Sequence, residues 1–158
     1  LLTIIGGKWT TYRKMGEDVI EKAILIGGLK ETPSVTANMP IHGYVKSFDE
    51  TDPLHYYGSD REKIKSLSLK DKSMEDVLVE GFPYTKAEVV WAVREEMARN
   101  VEDFLARRSR FLLLDARKSM KAAPAVAKII AEELGFRRRW QREQTEEYTA
   151  LAKGYILE

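Results

Sequence analysis

The sequence predicts a mostly α protein. A C-terminal helical, bundle-like domain follows a short strand, a Gly-Gly-Lys loop and a helix. Three observations predict it. From residue 59 onward, apolar residues recur at helical spacing rather than in alternation. Hydroxyl or acidic cap residues stand before those runs, and Gly or Pro after them. One short apolar run, Leu1-Leu2-Thr3-Ile4-Ile5, opens the chain and ends at Gly6-Gly7. That is the pattern of a buried strand.

Composition narrows the class. The 158 residues are enough for one hydrophobic core. With 44% apolar and 32% charged residues, the chain reads neither as disordered nor as a membrane span. Lys and Arg total 26 against 25 Asp and Glu, so bulk charge does not drive the chain onto nucleic acid. The absence of cysteine excludes disulfides, Cys-ligated zinc, iron–sulfur clusters and a thiol nucleophile. His42 and His55 are the only histidines, which argues against a histidine-rich metal site.

Three segments follow in order: residues 1–28, a linker at 29–58 and a helical domain at 59–158. The opening run is too short to be stable alone. It has neither the charged start nor the cleavage site of a signal peptide, so the chain reads as a piece of something longer. Leu157-Glu158 fits the start of a purification tag. The first helix starts near Thr10 or Thr11 and carries Met15, Val19, Ala23 and Ile26 at helical spacing. Gly27-Gly28 stops it. Pro33, Pro40 and Pro53 oppose long helices in the linker, which leaves room for a short strand around residues 41–45.

Capping boxes then punctuate the chain. Ser59 with Glu62 and Ser73 with Asp76 open the first two helical pieces, and Gly81-Phe82-Pro83 interrupts. Thr85 with Glu88 opens a helix whose face is Val89, Val90, Val93 and Met97. Asn100 stops it or caps a short helix at 101–107. Phe111-Leu112-Leu113-Leu114 begins a buried helix running to Met120. Pro124 suits the first turn of the next helix, which carries Val126, Ile129, Ile130 and Leu134 and stops at Gly135. The last helix starts near Arg138, with Trp140, Tyr148 and Leu151 near one face.

Two features carry chemistry. Gly6-Gly7-Lys8-Trp9-Thr10-Thr11 lies between the apolar run and a helix. Glycines let backbone approach a ligand, a helix N-terminus offers free N–H groups, and Lys8 adds a full charge. The loop suits a phosphate or a developing anion, and equally an ordinary turn with an N-cap. It matches neither the P-loop nor the Gly-x-Gly-x-x-Gly pattern. The second feature is the basic stretch at 107–121, with Arg107, Arg108, Arg110, Arg117, Lys118 and Lys121. Nearby Glu95, Glu96, Glu102 and Asp103 favour local pairing. Asp115, set among apolar residues, calls for Arg108 or Arg110 as a partner.

The residues from Gly6 to Met15, GGKWTTYRKM, resemble the motif near the end of the flavin domain of FAD-dependent glycerol-3-phosphate dehydrogenases. Residues 87–118 are similar to that family's C-terminal helical domain. Together the two stretches span most of the chain. The resemblance implies that the strand, loop and first helix are the tail of an FAD-binding α/β domain, and that the helical part is accessory. It implies a flavoprotein that oxidises sn-glycerol 3-phosphate to dihydroxyacetone phosphate and passes electrons to quinone. Such an enzyme sits peripherally on the cytoplasmic face of the cell membrane and admits a homodimer, with no role for nucleic acid. FAD belongs to the whole enzyme. The fragment is expected to be cytoplasmic and inactive by itself. Carried over by position, Gly6, Gly7, Lys8, Thr10 and Thr11 approach the pyrimidine end of the flavin, with Lys8 catalytic; Arg13 is a structural partner for Glu17. No Asp-x-Asp-x-Asp-Gly calcium loop occurs, which reads as a bacterial-type enzyme. The competing class is a stand-alone helical module that binds protein or nucleic acid through residues 107–121.

Overall fold

The computed structural model describes residues 1–157. Glu158, and with it the tag-like Leu157-Glu158 ending, lies outside the described residues. The chain forms two compact units, Leu1–Tyr44 and Val45–Glu158.

In the first unit a single 3-10 turn, Trp9–Thr11, leads into helix α1, Tyr12–Gly27. Gly28 ends α1 in the left-handed conformation, φ 60°, with its N–H on the Ile24 carbonyl. That is the stop its glycine pair predicts. The expected strand is corrected: residues 1–5 form no ladder. A strand needs neighbours to accept its backbone hydrogen bonds, and none of the described residues pairs with this run. The short strand around 41–45 is corrected likewise. The Tyr44 N–H closes a turn on the Ile41 carbonyl at 3.1 Å instead.

The second unit contains α2 (Arg61–Lys70), α3 (Lys86–Glu95), α4 (Phe111–Leu114), α5 (Ala116–Leu134) and α6 (Arg138–Lys153). Short 3-10 segments, His55–Asp60 and Lys72–Glu75, flank α2. Helix α3 is buried from Ala87 to Val93 on every side, as a helix at the centre of a core must be. Its start is the capping box the sequence predicts, Thr85 with Glu88. Helices α5 and α6 form an antiparallel hairpin around Gly135, φ 72°. Ser119, Ala122, Ala123, Val126 and Ile130 of α5 lie at helical spacing and are buried. Small residues there let α6 approach, and Tyr148 donates its hydroxyl to Ser119 at 3.0 Å. Phe104, Leu105 and Phe111 are wholly buried in the same core.

Several expected boundaries move, each for a local reason. Ser59 lies inside a 3-10 segment, so Asp60 rather than Ser59 precedes α2. Asp71, not Ser73, caps the Lys72–Glu75 turn, accepting the Ser73 N–H at 2.9 Å. Met97 is off the α3 face, 74% exposed and at φ 58°. The Ala98 N–H returns to the Ala92 carbonyl at 2.8 Å, and Arg108 Nε holds the Glu96 carbonyl at 3.1 Å, so the chain turns early. Asn100 caps the next helical turn, accepting the Asp103 N–H at 2.8 Å. Residues Asp103–Arg108 form a π-helical stretch.

The Phe111 segment is not one buried helix to Met120. Phe111 and Leu112 are buried, but Leu113 and Leu114 are 66% and 64% exposed. Four residues make barely one turn, so half of them face outward. Asp115 breaks the helix and caps α5 through the Lys118 N–H at 2.9 Å. This replaces the expected ion pair with Arg108 or Arg110. It also places Pro124 in the interior of α5 rather than in its first turn. Pro124 lies on the exposed side of a helix whose other side is buried.

Candidate functional site

The loop at residues 6–11 is built by two glycines and one threonine. Gly6 and Gly7 take φ 85° and 105°, a region open to glycine at little cost. At Gly7 a Cβ would also lie 2.1 Å from the sulfur at the end of the flexible Met15 side chain, which would have to shift. Lys8 follows in extended conformation and ends the loop. Thr11 closes it. Its backbone N–H and its hydroxyl donate to the Lys8 carbonyl at 2.9 and 3.0 Å, and its Oγ1 accepts the Lys8 N–H at 3.1 Å.

The structure therefore brings Gly6, Gly7, Lys8, Thr10 and Thr11 into one turn at the start of α1. Thr11 is occupied in holding the loop, whereas Lys8 and Thr10 are exposed. Among the described residues no carboxylate pairs with Lys8. Trp9 is 87% exposed and its ring lies 5.6 Å from that of Tyr12. One turn further along, Arg13 and Lys14 converge on Glu17, the Lys14 contact measuring 2.6 Å. The bonds from Lys14 and then Arg13 pull the Glu17 carboxyl down to about 2. Arg13 thus has the structural partner that the sequence suggested.

A feature not legible in the sequence lies on α1. Residues 32–41 drape along the helix and leave a groove of about 1040 Å³, lined by Tyr12, Arg13, Gly16, Ile20 and Ile24 opposite Val35, Met39 and Ile41. Arg13 reaches the Thr36 hydroxyl at 3.1 Å across it. A smaller cavity of about 340 Å³ touches Gly7, Thr11, Met15 and Val19. The pair of prolines at 33 and 40 was the available signal, and it reads as linker.

In the basic stretch at 107–121 the first two cations are tied down, whereas Arg110, Arg117 and Lys121 are exposed with no carboxylate partner among the described residues. Arg107 pairs with Glu102 at 2.6 Å and Asp103 at 3.1 Å, and Arg108 holds the Asp103 carbonyl at 2.8 Å. Among the described residues no cluster of His, Asp or Glu could hold a metal ion. No helix among them is long and apolar enough to cross a membrane.

The family model for the C-terminal domain of alpha-glycerophosphate oxidase matches residues 4–144. The chain belongs to this family. It is 32% identical to the probable mitochondrial glycerol-3-phosphate dehydrogenase of Dictyostelium discoideum, over 99% of this chain and 26% of that protein. It is 31% identical to the mitochondrial glycerol-3-phosphate dehydrogenase of Macaca fascicularis, over 99% of this chain and 24% of that one. For the corresponding protein of Saccharomyces cerevisiae the identity is 29%, over 92% and 29%. The chain thus spans about a quarter of the length of these curated relatives. No solved structure matches it.

One expectation is overturned. The missing calcium loop pointed to a bacterial-type enzyme, but these relatives are mitochondrial proteins of eukaryotes. A calcium loop is a self-contained stretch of about a dozen residues. Its absence from one segment carries no information about lineage.

Proposed function

We propose that this member of the glycerophosphate oxidase C-terminal family serves an FAD-dependent enzyme that oxidises sn-glycerol 3-phosphate to dihydroxyacetone phosphate and passes the electrons to quinone at a membrane surface. The observation that carries this reading is the family match over residues 4–144, which takes in the Gly-Gly-Lys loop. The relatives' printed names supply the substrate class. By itself, the chain has no phosphate-binding βαβ unit among its described residues, so we expect it neither to retain FAD nor to turn over.

The residues present fit the flavin role. The two glycines take positive φ, and the Met15 side chain lies against Gly7. The loop's cation has no carboxylate partner among the described residues. FAD would supply the hydride acceptor. Lys8 would place a positive charge at the pyrimidine end, where negative charge develops as hydride leaves C2 of the substrate. A charge that acts only as the reaction proceeds raises kcat more than it improves binding. Thr11 acts by holding the Lys8 backbone, and Gly6 and Gly7 by allowing close approach.

The test is Lys8→Met in the full-length enzyme, with flavin content measured in parallel. We expect kcat to fall by roughly ten- to a thousand-fold, the scale of losing one electrostatic donor. The melting temperature should hold, because an exposed loop lysine buries little apolar surface. A raised KM at constant kcat would assign Lys8 to the substrate phosphate instead. Unchanged kinetics at full flavin occupancy would remove it from the site.

A further inference from the structure

Among the described residues, Glu88 is the one glutamate sunk in the core of the second unit, 1% exposed. Its position in the capping box explains only half of its contacts. One carboxylate oxygen accepts the Thr85 N–H at 2.7 Å and the Thr85 hydroxyl at 3.0 Å. The other accepts the Tyr56 hydroxyl at 2.5 Å and the Tyr57 hydroxyl at 3.4 Å. Those tyrosines belong to the 3-10 segment His55–Asp60, about thirty residues earlier in the chain. Tyr57 of that segment and Leu54 just before it pack against Ile64, Ala87 and Trp91. Among the described residues no cation pairs with Glu88.

The neighbouring charges are committed elsewhere. Lys63 of α2 pairs with Asp60 at 2.8 Å and lies over Trp91. Arg108 faces Glu96 at 3.7 Å, and Arg94 faces Glu133 of α5 at 2.6 Å. Lys65 and Arg61 face Asp52, and Lys86 faces Asp76. Tyr84 approaches from the residues before α3 but donates its hydroxyl to the Ser109 carbonyl. His55 turns its Nδ1 to the Asp52 carbonyl at 2.9 Å.

We infer that Glu88 is a charge-sensitive latch, holding the His55–Asp60 segment against α3 when neutral and loosening it when ionised. An ionised carboxylate without a counter-ion is costly in a dry site, and lifting the segment would admit water to it. Burial pushes the Glu88 carboxyl above its ordinary value of 4.5, against the opposing pull of the tyrosine and Thr85 bonds. The sign follows from linkage. A proton bound more tightly in the closed form favours closure. The hold is complete below the ordinary glutamate value and is lost as pH rises through the raised one.

Amide hydrogen exchange read by mass spectrometry, corrected for intrinsic rates, tests this on the whole chain. In the wild type, protection of residues 54–60 should fall as pH rises from 4 towards neutrality, while α5 and α6 keep theirs. Glu88→Gln keeps the shape and removes the charge, so protection should be high and flat with pH. Tyr56→Phe removes a donor to the ionised form. It should open the segment about tenfold further at neutral pH, the worth of one charged hydrogen bond, and move the transition to higher pH. Flat protection in the wild type would overturn the proposal. So would a looser segment in Glu88→Gln, or a pH dependence that survives there and so belongs to another group such as half-buried Glu96. If Glu88→Gln does not fold, an unmoved transition in Tyr56→Phe is enough to reject the latch.

Discussion

The two units of this chain use the same kind of helix and end in opposite states of burial. In Leu1–Tyr44 no residue is buried, and Ile20 on α1 is 60% exposed. In Val45–Glu158, α3 is buried from Ala87 to Val93 and Phe104, Phe111 and Ile130 have no exposure at all. The caps do not explain the difference, because α1 stops at Gly28 as cleanly as α5 stops at Gly135. Capping and periodicity decide where a helix forms, whereas stability comes from what its apolar face meets. The charges differ in the same way. Glu17 in the first unit is half-buried between two cations, which pull its carboxyl down to about 2. Glu88 in the second is buried with no cation partner among the described residues, and its carboxyl is pushed up.

The strongest way to break this comparison is to separate the units. A chain of residues 45–158 should give a helical circular dichroism spectrum and a cooperative melt. A chain of residues 1–44 should give little helix and no transition, because an isolated helix of sixteen residues is marginal in water. A cooperative melt from 1–44 would mean that the groove along α1 supplies a core that its exposure conceals.

Next in size is the loss of a buried ring. Phe104→Ala removes a side chain with no exposure from the centre of the second unit. It should cost about 3–5 kcal/mol in urea denaturation. Ile20→Ala in the same experiment should fall within about 0.5 kcal/mol of wild type, as surface changes do. Equal costs would abolish the distinction between the two regions.

How much of this was legible in the sequence depends on which force set each feature. The capping box at Thr85 and the Gly28 and Gly135 stops are local chemistry, and the structure places them where the residues predict. The end of α3 was not legible, because Arg108, twelve residues beyond Glu96, determines it. Nor was the start of α5. Asp115 looked like half of an ion pair and is a cap, and burial of Ser119, Ala122 and Ala123 carries the helix through Pro124. The opening run had a strand's composition but no partner strand among the described residues. At the candidate site, the loop's glycines were legible from the motif, and their positive φ values, with the Met15 side chain beside Gly7, needed coordinates. The tyrosine pair on Glu88 was invisible, since its members lie 31 and 32 positions away from their acceptor.

A smaller effect sharpens the comparison at the level of one hydroxyl. Thr85→Ala removes one bond to Glu88 at the start of a buried helix. Loss of such a cap costs about 1 kcal/mol, and here it also leaves a buried carboxylate with one donor fewer. Chemical denaturation should show the loss with an unchanged slope. No loss would mean that the Thr85 backbone N–H holds Glu88 sufficiently alone.

Thr11→Ala is the matched change in the first unit, and it should have the smallest effect of all. Thr11 also closes a reciprocal contact three residues back, with both bonds to Lys8 between 3.0 and 3.1 Å. Every group involved is exposed, so water can replace the hydroxyl on both sides. The Thr11 N–H still reaches the Lys8 carbonyl at 2.9 Å without it. The urea midpoint of the whole chain should therefore shift by no more than the equivalent of about 0.5 kcal/mol. The loop itself should respond more than the fold does, because the side chain that fixes the Lys8 backbone is gone. In the full-length enzyme Thr11→Ala should therefore lower kcat with little change in stability, and by less than Lys8→Met does. A stability loss as large as that of Thr85→Ala would show that the loop belongs to a cooperative core. Kinetics identical to wild type would show that the loop keeps its shape through the glycines and the remaining backbone bond.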